Sequence, residues 1–466
     1  MALNGSVEES GLGNSRNQAG KGREWERKAK RKRKGKRKQG EAIMGNAQSP
    51  SPDPPLDAAS LAFSKQELED LRSLFVSLAA QSGSNCKFVS QPVFQAYFRV
   101  PGPLGARMFQ LAARKRNDGM LTFEDLVVTK ATYEKGARDE IEEFIYQLCD
   151  VTGDSILGRS DIEAVLKSIH EALFSTESDD NGLSSQHQDI LEVFINAAIF
   201  SEKVEGSAGE SMSLADFRSW CSLLPSARKF LGSLLTPPDS GRPGYQVPCL
   251  QHPENVSSDM LLLWNEYAWH IGGALSQNEV EEWKLLYHSA VNGLSFSTFL
   301  GNISNGDGPT VLIIKDTEGY VYGGYASQPW ERQSDFYGDM KSFLFQLYPK
   351  ASIFRPTGAN NNLQWCAVNF SSDSIPNGIG FGGRANHFGL FLSANFDKGH
   401  TFSCTTFNSP CLSKTSKIHP ETIECWGVLA KGPQNGKPEV LKGTVLERFK
   451  EDRNMLKMVG LANSSD

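Results

Sequence analysis

The spacing of apolar residues changes once along this chain, and that change limits which folds the chain can adopt. From about residue 61, apolar residues recur every three or four positions, as in Leu71, Phe75 and Leu78. This spacing is typical of helices with one buried face. After the stretch 236–259, which contains five prolines, short aromatic and β-branched runs are separated by Gly, Asn, Asp and Ser. The sequence therefore predicts a helical region followed by a region of strands joined by turns.

Composition sets the domain boundaries. Residues 1–43 contain thirteen Lys or Arg, five Asp or Glu and a single aromatic residue, so this leader cannot bury a core. We predict six segments: a disordered basic leader (1–43), a Pro/Ser linker with an internal start (44–60), a helical domain (61–235), a second linker (236–255), a strand-rich domain (256–430) and a closing amphipathic helix (438–461).

The net charge of −6 is unevenly distributed. The leader carries +8, so the remaining 423 residues sum to −14. An acidic body argues against a broad nucleic-acid surface, and nucleic-acid binding is expected only through the leader. No apolar stretch approaches the roughly 20 residues that span a bilayer.

The expected elements of the second region follow from its apolar runs. Two helical stretches, near 257–271 and 276–288, are expected first. The predicted strands form a hairpin over 311–325 and three further runs at 342–348, 387–396 and 423–429.

Motifs that would indicate an enzyme or a metal centre lack the required context. The run Gly378–Gly383 fits GxGxxG, but a strand follows it where a dinucleotide site needs a helix, so we interpret it as a glycine-rich loop. Five His and Cys residues lie within 26 positions without the close pairs of a zinc site: His400, Cys404, Cys411, His419 and Cys425. We expect reduced thiols, no catalytic residues and no enzymatic activity.

The stretch 139–169 has a helix–loop–helix pattern around the twelve residues DVTGDSILGRSD, 150–161. An EF-hand calcium loop needs oxygen ligands at positions 1, 3, 5 and 12, and a glycine at position 6. Position 6 is Ser155, and position 12 is an aspartate, one methylene shorter than the usual glutamate. The sequence leaves two interpretations open, a weak calcium site and a relic. The candidate ligands are Asp150, Thr152, Asp154 and Asp161.

Related loops occur elsewhere in the helical region. In 114–125 the first and third ligand positions are Arg114 and Arg116, whose charge would repel a cation. Residues 75–94 and 211–217 resemble further degenerate copies. We therefore predict an all-α, EF-hand-like module.

The strand region resembles a known family over roughly residues 256–430. The matching stretches are LLYHSAVNGLSFSTFL, VLIIKDTEGYVYGGYASQPW, FLFQLYP, IPNGIGFGG, HFGLFLSANFDKGHTFSCTTFNSP and IECWGV. These resemble the TLDc domain, and the whole layout resembles the MEAK-type TLDc proteins. The resemblance implies an α+β domain, an antiparallel β-sandwich flanked by helices. It also implies binding to the cytosolic sector of the vacuolar-type proton ATPase and, in some members, resistance to oxidative stress.

The closing helix carries an apolar stripe bordered by Lys and Arg. Its members are Val445, Phe449, Leu456 and Val459. Such a stripe suits docking into a groove of a partner, and the alternative is packing on its own chain.

The sequence Met44-Gly45-Asn46-Ala47-Gln48-Ser49 fits the myristoylation pattern. If Met44 is the usual start, Gly45 becomes the lipidation site, and a single acyl chain gives marginal, reversible membrane binding. We then expect a cytoplasmic protein, peripheral on an endomembrane or the vacuolar/lysosomal surface. A long form that retains the leader would carry a nuclear or nucleolar address.

The resulting functional hypothesis is a non-enzymatic TLDc adaptor. A weak calcium sensor and an oxidative-stress-resistance protein are the alternatives.

Overall fold

The computed structural model describes residues 54–83, 87–113, 119–174, 185–203, 210–303, 308–372 and 374–429, with 54–55 and 185–189 described by backbone alone. The predicted leader, most of the first linker and the closing helix lie outside these residues.

Ten helices form the described part of the N-terminal region. They are α1 (Pro54–Ser60), α2 (Lys65–Gln81), α3 (Gln91–Phe98), α4 (Gly102–Ala112), α5 (Phe123–Lys130), α6 (Arg138–Cys149), α7 (Arg159–Phe174), α8 (Ser185–Ile195), α9 (Leu214–Leu223) and α10 (Pro225–Leu231). A π-helical turn, Ala131–Lys135, follows α5. The expected buried face of α2 is confirmed, since Leu71, Phe75 and Leu78 are buried.

Local sequence determines where several of these helices begin. Ser64 accepts the N–H of Glu67, whose carboxylate accepts the N–H of Ser64 in return. The same reciprocal cap starts α5 and α9, where Asp125 and Asp216 take the glutamate's role. Each cap satisfies backbone donors that the first helical turn leaves unpaired.

Short backbone bridges join the helix–loop–helix units in pairs. Val89 and Leu121 exchange two hydrogen bonds, of 2.9 and 3.2 Å. Met212 donates its N–H to the carbonyl oxygen of Leu157 at 2.8 Å. The units therefore pack as two pairs rather than as independent hairpins.

The C-terminal region is built from two sheets. The seven-stranded sheet has the order β3-β4-β14-β5-β6-β7-β8, and the five-stranded sheet has the order β13-β12-β11-β10-β9. Every pairing is antiparallel except that of β3 with β4. The strands of the first sheet are β3 (Cys249–Gln251), β4 (Glu282–His288), β5 (Thr310–Asp316), β6 (Val321–Ala326), β7 (Phe343–Tyr348), β8 (Ser352–Phe354) and β14 (Pro420–Leu429).

The second sheet contains β9 (Gln364–Ala367), β10 (Gly378–Arg384), β11 (His387–Ser393), β12 (Gly399–His400) and β13 (Lys417–Ile418). The remaining two strands pair with each other in the helical region; they are β1 (Glu202–Lys203) and β2 (Glu210–Ser211). Three helices flank the sandwich, namely α11 (Asn265–Gly272), α12 (Ser289–Asn292) and α13 (Phe296–Ile303).

The two faces of the seven-stranded sheet bury different cores. Alternate strand residues such as Leu312 and Ile314 pack against the five-stranded sheet. Their neighbours Val311 and Ile313 belong to a core that continues through α11 into the N-terminal helices. The described chain therefore has three layers, namely helices, large sheet and small sheet, and the helical region shares its core with the large sheet. The segment 236–255, predicted as a linker, supplies β3.

The predicted order of a helical region followed by antiparallel sheets is confirmed, with two local corrections. The stretch 276–288 was expected to be helical, but 282–288 is strand β4. Trp283 and Leu285 alternate along the strand toward the core shared with the helices, a period of two that the apolar run concealed. The glycine-rich run 378–383 is part of strand β10 rather than a loop.

Candidate functional site

The 150–161 loop connects α6 to α7, as the helical spacing on either side predicts. Asp150 ends α6, and Asp161 lies in the first turn of α7. Both carboxylates are buried, whereas Thr152 and Asp154 are exposed. The four predicted calcium ligands therefore lie in two different environments.

The oxygens of Asp150 are occupied by donors of the loop itself. Its Oδ1 accepts the hydroxyl of Thr152 at 3.2 Å and the N–H of Gly153 at 2.8 Å. Its Oδ2 accepts the N–H of Ser155 at 3.1 Å. These bonds close the first half of the loop on this side chain.

Asp161 closes the second half of the loop. Its Oδ1 accepts the N–H of Thr152 at 3.2 Å, and its Oδ2 accepts the N–H of Gly158 at 3.0 Å. The exposed Asp154 accepts the N–H of Ile156 at 2.8 Å. All three carboxylates therefore stabilise the backbone of the loop.

A positively charged side chain from another helix contacts this loop. Arg107, on α4, donates from Nη2 to Asp150 Oδ2 at 3.0 Å and from Nε to the carbonyl oxygen of Gln147 at 3.1 Å. The side chains of Arg107 and Asp150 are only 13% and 6% exposed. Sequence reasoning missed Arg107 because it lies 43 residues from its partner.

Position 6 of the loop has a strained backbone. Ser155 has φ of 70°, a left-handed conformation that glycine adopts more readily. The loop therefore turns at a residue in a left-handed conformation that is not glycine.

The arrangement of donors around the loop does not suit a resident calcium ion. Calcium takes six to eight oxygen ligands, whereas the buried oxygens here already accept N–H and O–H groups and a guanidinium. Within the described ranges, no group of three or more His, Cys, Asp or Glu side chains comes together as a metal site. Calcium binding stays a prediction, and these contacts argue against it.

Four of the cysteines that the structure describes have thiols that burial keeps protonated. The seven described cysteines are free. Burial raises the pKa of Cys221, Cys366 and Cys425 to about 12, and it raises that of Cys149 well above its ordinary value. A raised pKa lowers the thiolate fraction, so these four are poor nucleophiles.

The sequence leaves two interpretations of Trp330, an interface anchor and a cap of the sandwich. In the structure it packs against the sandwich core. Its ring packs edge-on against Phe381 and Phe299, and its Nε1 donates to the hydroxyl of Thr310 at 2.8 Å. The neighbouring Arg332 lies over the ring of Phe370 and donates to Val368. These contacts favour the alternative interpretation, a tryptophan that caps the sandwich.

Two buried carboxylates in the sheet region were not singled out from the sequence. Glu424 is fully buried in β14 and accepts the N–H groups of Leu262, Leu263 and the Trp426 indole. Asp316 lies at the β5–β6 turn, where its carboxylate accepts the Tyr322 hydroxyl. The sequence signal that could have indicated them is an acidic residue inside an otherwise apolar strand. Such a residue is buried with its neighbours, and a buried charge needs hydrogen-bond or ionic partners.

The remaining predicted site residues lie outside the described residues. They are the lipidation candidate Gly45 and the interaction stripe Val445, Phe449, Leu456 and Val459. No helix in the described ranges is both long and apolar enough to cross a bilayer.

The family comparison coincides with the two-sheet region. Residues 256–429 match the family model described as the TLDc domain. This match starts just before α11 and ends with β14, so it covers the flanking helices and every strand of the two sheets except β3. The chain carries a TLDc domain, which confirms the resemblance found in the sequence.

Among its relatives, the chain is most usefully compared with MTOR-associated protein MEAK7. It is 27% identical to that protein of Danio rerio over 351 residues, covering 72% of this chain and 77% of that protein. It is 36% identical to the Xenopus laevis protein over 207 residues, or 42% of each chain. Oxidation resistance protein 1 of Rattus norvegicus is 31% identical over 144 residues, which are 31% of this chain and 16% of that protein. The matched part spans less than half of the Xenopus and rat relatives.

Proposed function

We propose that this chain is a non-enzymatic adaptor whose TLDc domain binds the cytosolic sector of a vacuolar-type proton ATPase. The observation that carries the proposal is the TLDc match over 256–429, which includes every strand of the two sheets except β3. The partner comes from the sequence resemblance. The relatives are named for an association with mTOR, which supports a role in binding proteins more generally.

The helical region supports an adaptor better than a sensor. We interpret its paired helix–loop–helix units, joined at Val89–Leu121 and Leu157–Met212, as a degenerate EF-hand-like module. Its core continues into the large sheet, so the module is a fixed part of the TLDc fold. The buried donors around Asp150 and Asp161 make a calcium response the less favoured function.

The closing helix supplies a second contact in this proposal. The full chain and a chain ending at Lys437 are each incubated with detergent-solubilised ATPase, and the bound fraction is titrated. We expect truncation to weaken binding by about 10²-fold or more, because two tethered contacts reinforce each other. Equal binding of both chains would contradict the second contact, and no binding of the full chain would contradict the partner.

Point variants separate loss of the helix from loss of its apolar stripe. Phe449→Asp puts a charge on the stripe, whereas Asn454→Asp puts the same charge on the opposite side of the predicted helix. We expect only Phe449→Asp to weaken ATPase binding. A melting temperature that falls in Phe449→Asp, with binding unchanged, would mean that the stripe packs on its own chain.

Membrane attachment is proposed through Gly45, provided that translation starts at Met44. Mass spectrometry of the native N-terminus tests this directly. A myristoylated glycine at Gly45 in the main species is expected, and a peptide spanning Ala42–Gln48 would contradict it.

A role in oxidative stress is the second candidate, favoured by the match to oxidation resistance protein 1. Because the buried thiols are poor nucleophiles, we propose that this role does not depend on peroxidase chemistry. Cells lacking the protein would be challenged with peroxide and complemented with a Cys404→Ser, Cys411→Ser variant. Full protection by the variant is expected, and loss of protection would point to a thiol.

A further inference from the structure

Arg107 reaches the 150–161 loop from a different helix–loop–helix unit. It lies on α4, and its guanidinium bridges two acceptors, Asp150 Oδ2 at 3.0 Å and the Gln147 carbonyl oxygen at 3.1 Å. The spacing around Gly153 shows how closely the guanidinium fits the loop. A Cβ placed on Gly153 would lie 2.8 Å from Nη1 of Arg107, so the guanidinium lies directly against the loop backbone.

Arg107 brings a positive charge to a loop that contains two buried carboxylates. Asp150 and Asp161 bring two buried carboxylates within one twelve-residue loop. Backbone N–H groups satisfy their oxygens as acceptors but carry no net charge. A buried carboxylate without a cation is costly, because water is no longer there to solvate it.

We propose that Arg107 is the built-in cation of this loop. Its guanidinium supplies the positive charge that a calcium ion would supply in an EF-hand loop, and it holds the loop closed at all calcium concentrations. This inference goes beyond the proposed ATPase adaptor and does not depend on it.

The position of Arg107 gives the charge a mechanical role. Asp150 is the residue at which α6 ends, and Leu157 of the same loop bonds to Met212, which precedes α9. Arg107 therefore ties α4 of one unit pair to the loop that organises the other pair. A permanent cation at this point fixes the angle between the pairs, whereas an exchangeable ion would let it vary.

The first measurement needs no variant. The full chain is melted in excess EDTA and at millimolar calcium. We expect the same melting temperature in both, because the loop already contains its cation. A rise in melting temperature with calcium would overturn the proposal.

The second measurement removes the cation. Arg107→Ala leaves Asp150 buried and unpaired, so we expect the melting temperature to fall by roughly 5–10 °C. The matched control is Arg159→Ala, because Arg159 pairs with Glu192 at a site where both side chains are about half exposed. We expect the control to melt like the wild type. If Arg107→Ala melts like the control, the proposal is wrong.

A double-variant cycle distinguishes charge compensation from simple packing. Asp150→Asn removes the carboxylate that Arg107 neutralises. If Arg107 acts by compensating charge, the melting temperature of the double variant Arg107→Ala, Asp150→Asn falls by less than the sum of the falls in the two single variants. Additive losses would overturn the proposal. Should Arg107→Ala fail to fold, Arg107→Gln enters the same cycle, because it removes the charge and keeps a long side chain that can donate a hydrogen bond.

Discussion

The carboxylate of Glu424 accepts the backbone N–H of Leu262 at 2.6 Å, which fastens the start of the TLDc domain to the middle of its large sheet. Leu263 and the indole of Trp426 donate to the other carboxylate oxygen at 3.3 and 2.9 Å. His288 lies 3.6 Å away, and its Nδ1 accepts the N–H of Ala290. Because Nδ1 is an acceptor, the neutral ring carries its proton on Nε2, which donates to the carbonyl oxygen of Met260 at 3.2 Å.

The first prediction concerns this buried carboxylate. Glu424→Gln replaces one acceptor oxygen by an NH₂ group that faces N–H donors, so at least one donor loses its partner. We expect a loss of about 2–4 kcal/mol in the free energy of unfolding, measured by chemical denaturation. Glu421→Gln is the control, since Glu421 is half exposed and pairs with Lys315, whose side chain is also partly exposed. Equal stability of the two variants would contradict the anchoring role.

The second prediction concerns pH. His270 is completely buried, neither ring nitrogen has a hydrogen-bond partner among the described residues, and burial lowers its pKa to about 3. A histidine with a lowered folded-state pKa stabilises the fold above its unfolded pKa of about 6.5, and this stability is lost as pH falls toward 3. Between pH 7 and pH 5 the wild type should therefore lose about 2 kcal/mol more than His270→Leu.

Denaturation of both proteins at the two pH values provides the measurement. The exposed His252 supplies the control, because His252→Leu should keep the wild-type pH dependence. If His270→Leu shows the same loss as the wild type, the acid sensitivity arises elsewhere.

Periodicity was sufficient to predict the order of helices and strands, and it failed where two periods fit the same residues. The run at 282–288 suits either a helix or a strand, and only pairing with β14 makes it β4. The helix–loop–helix at 150–161 was predictable because its ligand positions are local. Arg107 was not, because its contact with Asp150 depends on how α4 packs against the loop.

Glycine positions in the strands predicted close packing more accurately than periodicity predicted the type of element. The pair Gly323-Gly324 in the predicted hairpin indicates either a bulge or a close backbone contact. A Cβ on Gly324 would lie 2.7 Å from the Phe381 ring of the opposite sheet. The sequence predicts that something approaches this glycine, but it does not identify Phe381 as the neighbour.

The third prediction tests this contact between the sheets. Gly324→Ala forces Phe381 to shift in a close-packed core, so we expect a loss of about 1–3 kcal/mol in the free energy of unfolding. Gly301→Ala is the control, because a Cβ there meets nothing within 4 Å and the residue is helical. That control should be neutral or slightly stabilising. A Gly324→Ala variant as stable as Gly301→Ala would show that the sheets are not in close contact here.

The fourth prediction follows from the core that the helical region shares with the large sheet. Leu166 of α7 and Phe343 of β7 are both buried in this one core. Ala351, at the β7–β8 turn, also donates its N–H to the carbonyl oxygen of Val193 on α8 at 3.0 Å. Regions joined in this way lose their contacts together, so residues 54–429 should unfold in a single cooperative transition.

Calorimetry of the full chain checks this expectation. Leu166→Ala and Phe343→Ala, one in each region, should each cost about 2–5 kcal/mol and shift the same transition to lower temperature. Leu61→Ala is the control, because Leu61 is 88% exposed and its removal should leave the transition in place. Two separable transitions, each moved by only one of the two core variants, would mean that the helical region folds independently of the TLDc domain. In that case the helical region would be a tethered module, free to reorient on the sandwich, rather than a fixed part of the adaptor surface.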